Sequence, residues 1–117
     1  MKGLIIKSPW IELILQGRKT WEIRGSNTSI RGRIALIKSG SGLVYGTVDL
    51  IDSKPLSLDE YQQATAYHHI QDCSVAPYNR IHAWVLANPG KWAEPVPYRH
   101  PQGAVIWVNI TEKHDCS

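Results

Sequence analysis

The sequence contains no phenylalanine and only two cysteines, Cys73 and Cys116. Two cysteines, one of them at the end of the chain, give no disulfide framework, so we expect a reducing, cytoplasmic setting. The apolar runs, such as 4–6 and 104–108, are far too short to span a bilayer, and no membrane partner is predicted. The first residues lack a long apolar region and a cleavage site, so no signal peptide is predicted either.

Motifs for metal, phosphate and nucleophilic chemistry are also missing. The histidines do not have the spacing of metal ligands, because His68 and His69 are adjacent and would point about 100° apart on a helix. The sequence also contains no CxxC pair. The sequence has neither a GxSxG nucleophile elbow nor a GxxxxGK[ST] phosphate loop. We therefore predict no metal site and no cofactor.

The length of 117 residues predicts one domain, over residues 1–110, followed by a polar and disordered tail, 111–117. Its basic residues are concentrated at one end. Residues 1–38 carry a net charge of +6, whereas residues 39–117 carry a net charge of −3. A basic half on a small domain is typical of proteins that bind a phosphate-bearing partner.

Six stretches favour β-strands because β-branched and aromatic residues are concentrated in them. They are 4–7, 19–24, 34–38, 43–51, 81–87 and 104–110. The stretch 92–98 is predicted to be extended but irregular, and 88–90 is predicted to be a turn. The third and fourth stretches are predicted to form a hairpin, in which Gly46 indicates a bulge or a close backbone approach.

Two helices are predicted between these strands. Ser8 is the expected N-cap and Pro9 the first helical residue of a short helix that Gly17 ends. A capping box at 57–60 begins a second helix, which we expect to continue to Ile70. The connections look too short for parallel strands. The predicted class is therefore α+β, a small mixed β-barrel of five to six strands with two or three short helices.

The stretch 17–24, GRKTWEIR, combines three cations, a carboxylate and an indole. Because side chains alternate along a strand, Trp21 and Ile23 are predicted to pack in the core. The opposite, polar face is then shared by Thr20, Glu22 and Arg24. We interpret this face as a candidate site; the alternative is a solvated ion-pair face that binds nothing.

Lys19 and Glu22 are the candidate catalytic pair. A lysine in a partly dry cleft can have a lowered pKa and act as a base or nucleophile, and a carboxylate beside cations accepts hydrogen bonds. Lys19 meets Glu22 only if it projects from the turn before the strand. The tryptophans and tyrosines interleaved with basic residues also suit the stacking of unpaired bases.

The segment Gly17-x-Lys19-x-x-Glu22-x-Arg24 matches the GxKxxExR motif of the ASCH (activating signal cointegrator homology) domain family. The chain resembles a small, stand-alone bacterial-type member, with further similarity over 7–15, 46–50, 84–86 and 103–107. This resemblance implies a PUA-like barrel whose cleft binds RNA or a modified nucleoside or nucleotide. The residues expected to bind it are Lys7, Ser8, Trp10, Arg18, Lys19, Thr20, Glu22 and Arg24.

The resemblance also implies an alternative, because some small members resemble 4-acetylcytidine amidohydrolases and others are ribonucleases. Lys19 matches the lysine of the amidohydrolase pattern. Glu22 stands where that pattern has a threonine, and His68 and His69 lie where it has a glutamate. We expect a monomeric nucleic-acid binder first, a metal-independent hydrolase using Lys19 and Glu22 second, and a protein-interaction domain third.

Overall fold

The computed structural model describes residues 1–110, which form six β-strands and three short helices. The strands are β1 (Lys2–Ile6), β2 (Trp21–Arg24), β3 (Gly32–Lys38), β4 (Leu43–Leu56), β5 (Ile81–Pro97) and β6 (Trp107–Asn109). The helices are α1 (Trp10–Leu15), α2 (Leu58–Gln62) and α3 (Thr65–His68). The α+β class is confirmed. The predicted tail, 111–117, lies outside the described residues.

The strands form a single sheet in the order β2-β5-β4-β3-β1-β6. Within residues 1–110 no ladder joins β2 to β6, so the prediction of a closed barrel is wrong. Closure requires a continuous ladder around the sheet, and these two edge strands contain only four and three residues. Side chains bridge the opening instead: Trp84 of β5 stacks on Trp107 of β6, with 5.7 Å between ring centroids.

Strands β1 and β3 are parallel, with Gly3 opposite Ala35 and Ile6 opposite Lys38. The expectation that the connections are too short for parallel strands is therefore wrong. The segment 7–31, which contains α1 and β2, is long enough to return the chain to the same end of the sheet. The other strand pairs are antiparallel, including the predicted hairpin of β3 and β4.

The prediction of a close backbone approach at Gly46 is confirmed, since a Cβ there would collide with the carbonyl oxygen of Gly90 on β5. The turn predicted at 88–90 is instead part of β5, where Asn88 adopts a φ of 53°. Neighbouring strands stabilise this conformation. Arg33 Nη1 donates to the Asn88 carbonyl at 2.7 Å, and the Asn88 side chain donates to Asp49 at 2.9 Å.

Helix α1 begins one residue later than predicted, because Pro9 occupies the N-cap position. The Ser8 hydroxyl does not cap the helix; it donates to Glu12 Oε1 at 2.8 Å. Gly17 follows the helix with a φ of 80°, as predicted. The helix therefore directs the chain through a short turn, 16–20, into β2.

The single helix predicted up to Ile70 is divided into α2 and α3. Its start is confirmed, since Ser57 and Glu60 form the predicted capping box. The division follows from a tertiary contact: the carbonyl of Tyr61 accepts from the ring of His68 at 2.8 Å. This contact replaces the helical hydrogen bond that a continuous helix would form at Tyr61.

Apolar side chains form a main core between the sheet and α1, and a second cluster behind β2. The second cluster contains Ile23, Tyr61, Ile81 and Ala83, with Trp21 packed at its margin. The predicted core face of β2 is therefore confirmed for Ile23, and Trp21 is half-buried. This cluster fixes β2 against α2 and α3, so that residues on the turn before β2 meet the end of α3.

Candidate functional site

A cleft of about 470 Å³ opens between β2, the start of α1 and the loops that follow α3 and β5. Five of the eight residues predicted to bind a ligand line it: Lys7, Trp10, Lys19, Glu22 and Arg24. Its other walls are mostly apolar and include Ile5, Tyr61, Ile70, Pro77, Tyr78 and Val105. The cleft thus combines a charged floor with apolar walls, which is typical of a ligand site.

The other three predicted residues, Ser8, Arg18 and Thr20, lie outside the lining of this cleft. Ser8 and Arg18 are exposed to solvent. The backbone of Thr20 connects neighbouring elements, since its N–H donates to the Tyr67 carbonyl at 2.9 Å and its carbonyl accepts from the N–H of Leu86 at 2.8 Å. Thr20 therefore helps to place β2.

Lys19 projects from the turn before β2, which is the geometry required for it to meet Glu22. Its side chain is buried, and its Nζ donates to the backbone carbonyl of His68 at 2.5 Å. The same nitrogen lies 3.8 Å from Glu22 Oε1 and 4.8 Å from the centre of the Trp10 ring. The ammonium is thus surrounded by a carbonyl, a carboxylate and an aromatic face.

Burial lowers the pKa of Lys19 from 10.5 to about 8. The Glu22 carboxylate opposes this effect by favouring the charged form, while the Arg24 guanidinium adds to it. Lys19 is consequently a cation at neutral pH that can lose its proton under mildly alkaline conditions. This is the behaviour expected of a lysine that either binds an anion or serves as a base.

Glu22 is buried, and its two oxygens have different surroundings. Arg24 Nε donates to Oε2 at 2.9 Å, and Arg24 Nη2 lies 2.9 Å from the same oxygen. Among residues 1–110, Oε1 has only the ion pair with Lys19, at 3.8 Å, which is beyond hydrogen-bond distance. A carboxylate oxygen with a free lone pair therefore lines the cleft beside an ammonium group.

Arg24 orients Glu22 and closes one end of the cleft. Besides its contacts with Glu22, Nη2 donates to the carbonyl of Ile5 on β1 at 3.0 Å, and the guanidinium lies 5.4 Å from the centre of the Trp84 ring. Lys19 and Glu22 are both buried, so the ion pair on this face is shielded from solvent and not solvated as the alternative required.

The sequence did not indicate the backbone acceptors of Lys19 and Arg24, because a carbonyl can be placed only when the folded chain is known. It also missed the wall formed by the loop after α3, although the apolar residues Val75, Pro77 and Tyr78 in a loop are a signal that could have found it. Among residues 1–110, no group of three metal-ligating side chains is present and no helix has the length and apolar character needed to cross a membrane.

Comparisons with known proteins identify the family and the fold of this chain. The ASCH domain family matches residues 4–96, whereas no curated protein matches the sequence. The crystal structure of ASCH from Zymomonas mobilis is similar with a TM-score of 0.71 and 12% identity, covering 95% of this chain and 87% of that chain. A tyrosine-to-phenylalanine mutant of that protein gives a TM-score of 0.68 and 13% identity over 82% of this chain and 74% of that chain. At these identities the likeness shows the fold and supports the PUA-like architecture. Because the family match covers most of the sequence, the chain belongs to the ASCH domain family.

Proposed function

We propose that the cleft binds a nucleotide of single-stranded RNA, with the base edge at Lys19 and Glu22. The observation that supports this most directly is the buried pair itself, in which Glu22 Oε1 has no hydrogen-bond donor within the described part of the chain and Lys19 Nζ lies 3.8 Å away. Burying two charges costs free energy, and such pairs concentrate at functional sites. A base presents a donor beside an acceptor on its edge, which matches a carboxylate oxygen beside an ammonium group.

The walls of the cleft suit the remainder of a nucleotide. Trp10 and Tyr78 offer aromatic faces on which a base can stack, and stacking contributes about 1–3 kcal/mol per base. Lys7 lines the cleft from an exposed position on its rim. An ammonium group at the rim can contact the phosphate while the base enters the cleft.

Isothermal titration of the four nucleoside 5′-monophosphates tests this function. We expect Glu22→Gln to weaken binding by about 1–3 kcal/mol, the range for a hydrogen bond to a charged group, and Lys19→Met to weaken it similarly. Glu12→Gln is the matched control, because Glu12 pairs with Lys38 and does not line the cleft. Equal affinities in wild type and all three variants would refute the assignment.

A second candidate function, hydrolysis, is favoured by the pKa of about 8 for Lys19. In its neutral form the amine of Lys19 can take a proton from an attacking water, a role that typically contributes about 100- to 10,000-fold to the rate. Since the hydrolase would use Glu22 together with Lys19, Glu22→Gln would leave the affinity for 4-acetylcytidine or short RNA nearly intact and abolish its turnover. The rate of turnover is measured with purified protein, with and without chelator. If the protein only binds its ligand, no variant changes this rate.

A further inference from the structure

A second cavity, of about 540 Å³, adjoins the cleft. The two share four lining residues, which are Ile5, Lys7, Ser39 and Val105. The far side of the second cavity is formed by Gly40 and Gly42 of the turn after β3 and by Tyr98, His100 and Ala104. The shared residues form a common border, so the cleft and the second cavity are adjacent, and the two together are called the groove.

We propose that the second cavity is a subsite for the neighbouring nucleotide of a single-stranded RNA. The ligand is then an oligonucleotide of at least two residues, and a free nucleoside fills only half of the groove. This inference rests on the proposed function of the cleft. It adds a second subsite and the minimum length of the ligand, which the cleft alone does not specify.

Lys7 stands at the border between the two cavities. Its side chain is exposed, and among residues 1–110 its ammonium forms no ion pair or hydrogen bond. The phosphate that links two nucleotides has to pass this border if each base occupies its own cavity. An unpaired cation at that point matches the charge of the linking phosphate.

Val105 lines both cavities, and 76% of its surface is exposed. An apolar side chain so exposed at the border can contact the bases on both sides of it. Gly40 and Gly42 have φ values of 81° and 71° and contribute no side chain. The turn that carries them therefore leaves the second cavity open.

Tyr98 supplies a polar group whose orientation is fixed. Its hydroxyl lies 2.6 Å from His100 Nδ1, and His100 Nε2 lies 2.9 Å from the carbonyl oxygen of Ala104. Since a carbonyl only accepts, Nε2 carries the proton of the neutral imidazole, and Nδ1 accepts from the Tyr98 hydroxyl. The lone pairs of the Tyr98 oxygen are then available to a donor in the cavity, such as a ribose hydroxyl or a base amine.

The test compares the affinities of three ligands of increasing size: cytidine, cytidine 5′-monophosphate and the dinucleotide CpC. The corresponding adenosine ligands are measured in parallel. We expect the dinucleotide to bind about tenfold more tightly than the mononucleotide, because a second base gains a stacking surface. Tyr98→Phe should reduce this gain several-fold and leave mononucleotide affinity unchanged. Lys7→Ala should weaken both nucleotides relative to cytidine, whereas Lys2→Ala, an exposed lysine outside both cavities, should not.

Amide chemical shifts of the wild-type protein provide a readout that needs no variant. CpC should shift the amides of Gly40, Gly42 and Ala104, and cytidine 5′-monophosphate should leave them in place. A dinucleotide that binds no more tightly than the mononucleotide, or that leaves these amides unshifted, overturns the second subsite but not the cleft. Failure of all three probes to bind instead overturns the proposed function of the cleft.

Discussion

The ammonium of Lys19 donates a hydrogen bond to the backbone carbonyl of His68, a residue 49 positions further along the chain. The ring of His68 fixes that carbonyl. His68 Nδ1 accepts from the N–H of Ile70 at 2.9 Å, so Nε2 carries the proton and donates to the Tyr61 carbonyl at 2.8 Å. Burial lowers the pKa of His68, as does the nearby charge of Lys19, so the ring stays neutral. A buried histidine thus positions the acceptor for the lysine of the cleft.

Replacing His68 should destabilise the protein. His68→Leu leaves the Ile70 N–H and one lone pair of the Tyr61 carbonyl oxygen without a partner. We therefore expect a loss of about 2–3 kcal/mol in the free energy of unfolding, measured with urea. His69→Asn is the control, because His69 has a φ of 60°, which asparagine tolerates. A loss of similar size in both variants would contradict the special role of the His68 ring.

The pH dependence of binding should follow Lys19. Its pKa is lowered to about 8, so the cation that we propose contacts the ligand is lost as the pH rises through that value. We expect the affinity for cytidine 5′-monophosphate to fall between about pH 7 and about pH 9.5, since its phosphate, with a second pKa of about 6, is already largely a dianion at the start of that range. Any hydrolysis that uses neutral Lys19 as a base should increase over the same range. Lys19→Met should remove either dependence, and an affinity that is constant with pH would argue against contact between Lys19 and the ligand.

The salt dependence of binding distinguishes the cleft from a diffuse basic surface. If the basic residues 7, 18, 19 and 24 each met a phosphate, log K would fall against log salt with a slope of about −3. Arg18 lies outside the lining and Arg24 is engaged by Glu22 and Ile5. Lys19 is engaged by the His68 carbonyl and by Glu22 and is assigned to the base edge. Lys7 then remains as the cation that meets a phosphate, which predicts a slope of about −0.7 for a short single strand. Titrations of a CpC-containing oligonucleotide across a range of KCl concentrations measure it, and a slope near −3 would place further cations on the strand.

Gly46 should not tolerate a side chain. In Gly46→Ala the new methyl group meets the backbone oxygen of Gly90, which cannot move without displacing β5, so we expect a loss of about 1–3 kcal/mol. Gly25→Ala is a suitable control, since its methyl group would meet the ring of Tyr78, a partly exposed side chain that can rotate away. Urea midpoints of the two variants compare the effects. Equal stability of Gly46→Ala and wild type would contradict the close approach.

Local sequence patterns were sufficient for the elements that depend on neighbours along the chain. The hairpin of β3 and β4, the capping box at Ser57 and Glu60, and the left-handed residue Gly17 all follow from side chains within a few positions of one another. The alternation of β2 also follows from strand geometry, which places Glu22 and Arg24 on one face. Glu22 and Arg24 of the cleft were identified on this basis, whereas the position of Lys19 required it to project from the preceding turn.

Only the tertiary structure decided how those elements close around the cleft. The division of the second helix depends on the His68 ring, and the opening in the sheet depends on how far the short strands β2 and β6 reach. The depth of burial of Lys19 and Glu22, which shields their ion pair from solvent, is set by residues from separate segments packed around them. The reason is physical: desolvation and backbone hydrogen bonds to distant carbonyls depend on three-dimensional distance, whereas strand and turn preferences depend on adjacent residues.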